Sequence, residues 1–171
     1  VRGNTPPQDG PPMRTHRLGI SLFSAISGVL CLVAVIYGIT ELNSASEAAA
    51  VDSKSAMEVD VTGQQWLWTF NYPSLGVQSS ELNLPVGKPV KFIVKSVDVN
   101  HSFWPVQLGV KADANDVVAV ELNTTPNKIG HLDVKCAELC GLYHAYMETN
   151  GAVMSQSDFD NWVTANGGHT A

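Results

Sequence analysis

The sequence predicts a mainly β protein, a sandwich of short strands, preceded by one transmembrane α-helix. Three observations carry this: an uncharged apolar run from Leu18 to Thr40, apolar residues at alternate positions after residue 56, and Pro- and Gly-marked turns that keep each run short. With 171 residues, 44% of them hydrophobic and 15% charged, the chain has material for one ordinary core plus an appendage.

Residues 1–17 hold Pro6, Pro7, Pro11 and Pro12 among Gly and polar residues, without periodicity or apolar mass, and are expected to be a mobile tail. The 23 residues from Leu18 to Thr40 carry no charge. At about 1.5 Å rise per residue they match the roughly 30 Å core of a bilayer, so a transmembrane helix is expected over 18–41. The run is longer than the apolar region of a signal peptide, a polar segment precedes it, and no A-x-A site closes it convincingly. Arg14 and Arg17 stand before the span and Glu41, Glu47 and Asp52 after it. The positive-inside rule then puts the N-terminus in the cytoplasm and the following domain on the periplasmic or extracytoplasmic side, the intermembrane space in a mitochondrion. Residues 42–55, LNSASEAAAVDSKS, are small and polar, as a tether would be.

The domain is expected over 56–166, with residues 167–171 as a C-terminal tail. Met57, Val59 and Val61 alternate with Glu58, Asp60 and Thr62, and Val90, Phe92 and Val94 alternate with Lys91, Ile93 and Lys95, the period of half-buried strands. Further strands are expected over Gln65–Tyr72, Val117–Leu122 and His131–Cys136, separated by turn signals such as Pro85-Val86-Gly87 and Pro126-Asn127. Trp66, Trp68, Phe70 and Tyr72 would then share one strand face. Near the end, Ser157-Asp158-Phe159-Asp160 resembles a capping box, and Phe159, Trp162 and Val163 share the face of a short helix that stops at Asn166-Gly167.

Charge narrows the function. Residues 41–171 carry seven Lys against fifteen Asp and Glu, a net −8, whereas residues 1–40 carry three Arg against one Asp, a net +2. A domain without a basic stripe has no means of neutralising phosphates, which excludes nucleic acid as a partner. The acidity suits a basic protein partner, chiefly by raising the encounter rate, and also serves solubility. No Ser-His-Asp, paired-carboxylate or phosphate-loop arrangement is present to support a hydrolase.

The informative stretch is Cys136-Ala-Glu138-Leu-Cys140-Gly141-Leu-Tyr-His144-Ala-Tyr-Met147, with two thiols, an imidazole and a thioether in twelve residues. Soft thiolate and thioether ligands favour copper, and imidazole is compatible with it. Zinc usually takes a second Cys pair and does not use Met. Cys136 and Cys140 alone would equally suit a disulfide, a reading that the nearby His and Met oppose. Cys31 lies in the apolar run and reads as a small apolar residue. A second imidazole is available from His101, at the end of a strand-like run. His16, His131 and His169 read as ordinary tail or strand residues.

His101-Ser-Phe-Trp104, followed about 35 residues later by C-x-E-x-C-G-x-x-H-x-x-M, resembles the copper-site signature of cytochrome c oxidase subunit II. Gly63-Gln-Gln-Trp66-Leu-Trp68-Thr-Phe70-Asn-Tyr72 is similar to that family's aromatic segment. The resemblance implies a cupredoxin-like Greek-key β-sandwich and a binuclear CuA centre of two copper ions. It implies that His101, Cys136, Cys140, His144, Met147 and the backbone carbonyl of Glu138 are the ligands, and that the Glu138 carboxylate faces a magnesium or manganese ion shared with the catalytic subunit. It also implies that electrons enter at Trp66, with Trp68, Phe70 and Tyr72 as its aromatic neighbourhood.

The expected function is that of the non-catalytic electron-transfer subunit of a heme-copper oxidase. Such a subunit takes single electrons from cytochrome c or a similar small donor and passes them to heme in the catalytic subunit I, where oxygen is reduced. Membrane lipid surrounds its helix. Alternatives are the CuA subunit of a nitric oxide reductase and a membrane-tethered blue-copper carrier, although the latter uses one Cys. Glu81, Asp98, Asp113 and Asp116 are candidates for donor docking. Two features depart from the family pattern: one span where most members have two, and residues 113–118, which read DANDVV where a Pro-Gly-Arg turn is expected.

Overall fold

The structure is a computed structural model that describes Gly10, residues 16–49 and residues 55–169. Most of the expected N-terminal tail, residues 50–54 of the expected tether, and residues 170–171 lie outside the described residues. The chain divides into two compact units, residues 1–46 and 47–171.

Helix α1 (His16–Ala49) contains the apolar run, and its stretch Arg17–Leu42 is long and apolar enough to cross a membrane. It continues past the expected end of the span, through residues 42–49. Leu42, Glu47, Ala48 and Ala49 are good helix formers, and no Gly or Pro interrupts this part of the segment expected to be a tether.

The second unit is a β-sandwich with a terminal helix. One sheet contains β1 (Met57–Gln64), β2 (Leu67–Tyr72), β3 (Val77–Ser79), β5 (Val90–Ser96) and β8 (Val120–Thr124), in the order β3-β2-β1-β5-β8. The other contains β4 (Leu82–Pro85), β6 (His101–Pro105), β7 (Ala112–Ala114), β9 (Gly130–Cys136) and β10 (Glu148–Met154), in the order β4-β10-β9-β6-β7. Each sheet contains one parallel pair, β1 with β5 and β4 with β10, so consecutive strands cross between sheets as in a Greek key. Pro85 sits on edge strand β4, where its missing N–H costs no ladder bond.

The alternation read from the sequence sets the inward faces. Met57, Val59 and Val61 of β1 and Val90, Phe92 and Val94 of β5 are buried, as are Trp68, Phe70 and Tyr72 of β2. Phe103 of β6 sits among Trp68, Phe70 and Phe92, with ring centroids 5.7, 6.1 and 5.2 Å away. Such tilted and edge-on pairs contribute about 0.5–1.5 kcal/mol each beyond area burial. His101, the residue expected to bind metal, thus begins a strand whose middle residue, Phe103, is anchored in the core.

Three local expectations shift, each for a visible reason. The second strand starts at Leu67, because Gln65 and Trp66 form the turn between β1 and β2. Trp66 therefore does not share the buried face of Trp68, Phe70 and Tyr72. The strand expected from Val117 starts at Val120, because the Val117 and Val118 N–H groups donate to Asn115 Oδ1 at 2.7 and 3.2 Å in a side-chain-capped turn. Helix α2 (Gln156–Ala165) is capped by Ser155, whose hydroxyl accepts from the Asp158 N–H at 3.2 Å, two residues ahead of the Ser157 expected to open it. Its buried Phe159 and Val163 close one end of the core.

Candidate metal centre

The ligand set is assembled at one end of the sandwich by strand ends and one loop. Phe103 pairs with Cys136, which brings the start of β6 beside the end of β9. Residues 137–147 then leave β9 and return as β10, and the loop is closed at its base by Cys136 N–H donating to the Met147 carbonyl at 3.0 Å. The Ala137 N–H donates to Ser102 O at 2.9 Å, tying the loop to the strand that carries His101.

Within this frame the sulfurs of Cys136 and Cys140 lie 3.8 Å apart. His101 Nδ1 is 3.8 Å from Cys136 Sγ, and His144 Nδ1 is 3.5 Å from Cys140 Sγ. The Glu138 carbonyl is 3.2 Å from Cys136 Sγ, and Met147 Sδ is 3.7 Å from Cys140 Sγ. Ligand atoms of His101, Cys136 and Cys140 fall within 4.8 Å of one another, a spacing that suits a metal. His101, Cys140 and Met147 are 0, 3 and 1% exposed, so solvent is kept from these three, while Cys136 and His144 are half-buried. The Glu138 side chain is exposed, and its backbone carbonyl faces the sulfurs. Two thiols, two imidazoles, a thioether and a carbonyl form a soft set suited to copper.

Asp98 fixes the imidazole. Its carboxylate lies 2.9 Å from His101 Nε2 and accepts from the N–H groups of Gln65 and Val99 at 2.8 and 2.7 Å. A proton on Nε2 leaves the Nδ1 lone pair free, on the side of Cys136. Burial alone would raise the Asp98 carboxyl, but these hydrogen bonds and the His101 ring outweigh it and hold it at about 2. Burial, with the neighbouring Cys136, pushes the Cys140 thiol up to about 12, so the metal-free chain keeps that proton at neutral pH and a bound metal must displace it.

Trp66 lies over the ligand loop. Its indole N–H donates to the Cys140 carbonyl at 3.2 Å, and its ring meets Tyr143 edge-on at 4.8 Å. Gly63 and Gly141 make the close approaches. A Cβ on Gly63 would sit 3.0 Å from both the His101 and Trp68 rings, and Gly141, at φ 115°, would place one 2.9 Å from Gln65 Nε2.

The comparisons with known proteins fit this geometry. The family model for cytochrome c oxidase subunit II, periplasmic domain, matches residues 75–153. The crystal structure of the periplasmic domain of subunit II of cytochrome oxidase from Bradyrhizobium japonicum is similar, with a TM-score of 0.62 and 28% identity over 66% of this chain and 94% of that one. Over residues 75–153, the β domain belongs to the cytochrome c oxidase subunit II family. Among curated relatives of this subunit II domain, cytochrome c oxidase subunit 2 of Thermostichus vulcanus is 44% identical over 63% of this chain and 33% of its own. Alternative cytochrome c oxidase subunit 2 of Bradyrhizobium diazoefficiens is 32% identical over 63% of this chain and 50% of its own. The chain thus spans between a third and a half of the length of these relatives.

The structure brings His101, Cys136, Cys140, His144, Met147 and the Glu138 carbonyl together and puts Trp66 on them. Trp68 reaches the set only through its edge contact with His101, at 5.9 Å, while Phe70 and Tyr72 lie deeper in the core. Glu81, Asp113 and Asp116 are exposed, whereas Asp98 is partly buried and engaged with His101. Sequence reasoning missed that role for Asp98, although an Asp three residues before a ligand His was the available signal. It also missed Gln65, for which spacing offers none. A surface cavity of about 440 Å³, lined by Gln107, Lys128 and His131 among others, contains none of the ligand set.

Proposed function

We propose that the chain is the subunit of a heme-copper terminal oxidase that accepts electrons from a small donor such as cytochrome c and passes them to heme in subunit I, where oxygen is reduced. What carries the reading is the pair of cysteine sulfurs 3.8 Å apart with an imidazole nitrogen close to each. The ligands in this reading are His101, Cys136, Cys140, His144, Met147 and the Glu138 carbonyl. Held by these residues, a copper pair would supply a one-electron acceptor whose charge is shared between two metals.

The chain's own residues do the rest. Burial of His101, Cys140 and Met147 excludes water and limits rearrangement around the sulfurs. Trp66 offers a partly exposed aromatic ring whose N–H is bonded to the backbone of a ligand, a short path from the surface to Cys140. The exposed Glu138 carboxylate is available to a magnesium or manganese ion at the boundary with the catalytic subunit. Helix α1 crosses the membrane with Arg14 and Arg17 on the cytoplasmic side, which leaves the copper domain on the periplasmic side.

Replacing Trp66 with Leu tests the path. Reduction of the copper-loaded chain by its donor is expected to slow by at least tenfold while the copper spectrum is retained. A donor reduction rate equal to that of the unaltered chain overturns the role of Trp66.

A further inference from the structure

Gln65 contacts both segments that carry the ligands. Its backbone N–H donates to Asp98 Oδ2 at 2.8 Å, the carboxylate that holds His101, and its side-chain amide donates to the Cys140 carbonyl at 2.7 Å. The same carbonyl accepts from Trp66 at 3.2 Å, so the β1–β2 turn supplies both of its hydrogen bonds. Gly141 leaves room for this contact, since a Cβ there would lie 2.9 Å from Gln65 Nε2. His101 comes from the start of β6 and Cys140 from the loop before β10; the Ala137–Ser102 bond joins the two segments at the loop's base, and Gln65 adds a link at Cys140 itself.

We infer that Gln65 is a positioning residue, a strut that sets the distance between the His101 half and the Cys140 half of the metal centre. This rests on the proposed copper function. The side chain is exposed, so its removal costs little core packing. Its effect is confined to where the Cys140 backbone sits and therefore to where the second sulfur points. Partners that orient metal ligands from outside typically change metal affinity by about 10–100-fold when removed.

The test uses the full chain with Gln65→Ala, which keeps the backbone bond to Asp98, and Gln65→Glu, which keeps the length but turns an acceptor toward the Cys140 carbonyl. Both variants are expected to lose copper to a competing chelator about tenfold faster or more, Gln65→Glu the faster, with an altered copper spectrum and a shifted reduction potential. Their metal-free unfolding midpoints should match the unaltered chain, and hydrogen exchange at amides 138–143 of the metal-free chain should quicken. Unchanged spectrum and release in both variants overturns the inference, as does copper loss explained by a matching fall in metal-free stability. If the unaltered chain binds no copper pair while exchange still quickens, the strut stands and the copper reading fails.

Discussion

Asp98 joins the backbone of the β1–β2 turn to Nε2 of the His101 imidazole, whose Nδ1 lies on the side of Cys136. Its oxygens take the Gln65 and Val99 N–H groups and the His101 Nε2 edge, at 2.7–2.9 Å, so the ring is held in one tautomer and one orientation. Asn in its place keeps the size but lacks the charge and one acceptor. Asp98→Asn is therefore expected to weaken copper retention by about tenfold, at the low end of what such partners contribute, while the β domain stays folded. Competition with a chelator measures it, and copper retention equal to that of the unaltered chain contradicts the assignment. The composition and spacing of the ligands could be read from the sequence because they sit in one twelve-residue run plus His101. Gln65 could not, since it lies 75 residues from Cys140 and 33 from Asp98 and meets them only through the fold, whereas Asp98, three residues before His101, left a local signal.

Among the elements, the strands were legible where one face is buried and the other is not. β1 and β5 keep a strict alternation, and their inward residues are those the period selects. β8 was misplaced because its five residues are only partly covered, so hydrophobicity gave no register, and the Asn115 turn that delays it uses a side-chain acceptor. The start of α2 was set by Ser155 in preference to Ser157, a choice between two competent caps two residues apart. The link between β2 and β4 was not predicted. The Tyr72 hydroxyl donates to Asn83 O at 2.9 Å and accepts from the Asn83 N–H at 3.0 Å, joining the two sheets inside the core. Burial pushes this phenol well above its ordinary range, so it stays protonated and able to donate. Tyr72→Phe leaves both Asn83 peptide groups buried without that partner and is expected to cost about 1–3 kcal/mol of domain stability. Chemical unfolding of the two chains checks it, with a difference below about 0.5 kcal/mol counting against the bridge.

The described residues form a membrane-length helix and an acidic β domain, and the charge that follows the apolar run bears on how the domain meets a donor. With a net −8 over residues 41–171, encounter with a basic donor is favoured at a distance and screened by salt. Reduction by a basic donor should therefore slow severalfold as ionic strength rises from about 0.01 to 0.15 M, where the screening length falls from about 30 to 8 Å. A rate independent of salt would remove the acids Glu81, Asp113 and Asp116 from docking. The fold class was legible as a whole because its turns and alternation recur, whereas the pairing of β1 with β5 and of β4 with β10 needed the long-range contacts that close the sandwich. Electron transfer through the domain depends on the nature of the metal. Copper stoichiometry of the loaded full chain, measured together with its electron paramagnetic resonance spectrum, tests that most directly. Two coppers per chain sharing one unpaired electron are expected; a single ordinary copper signal, or retained zinc, would overturn the copper-pair assignment.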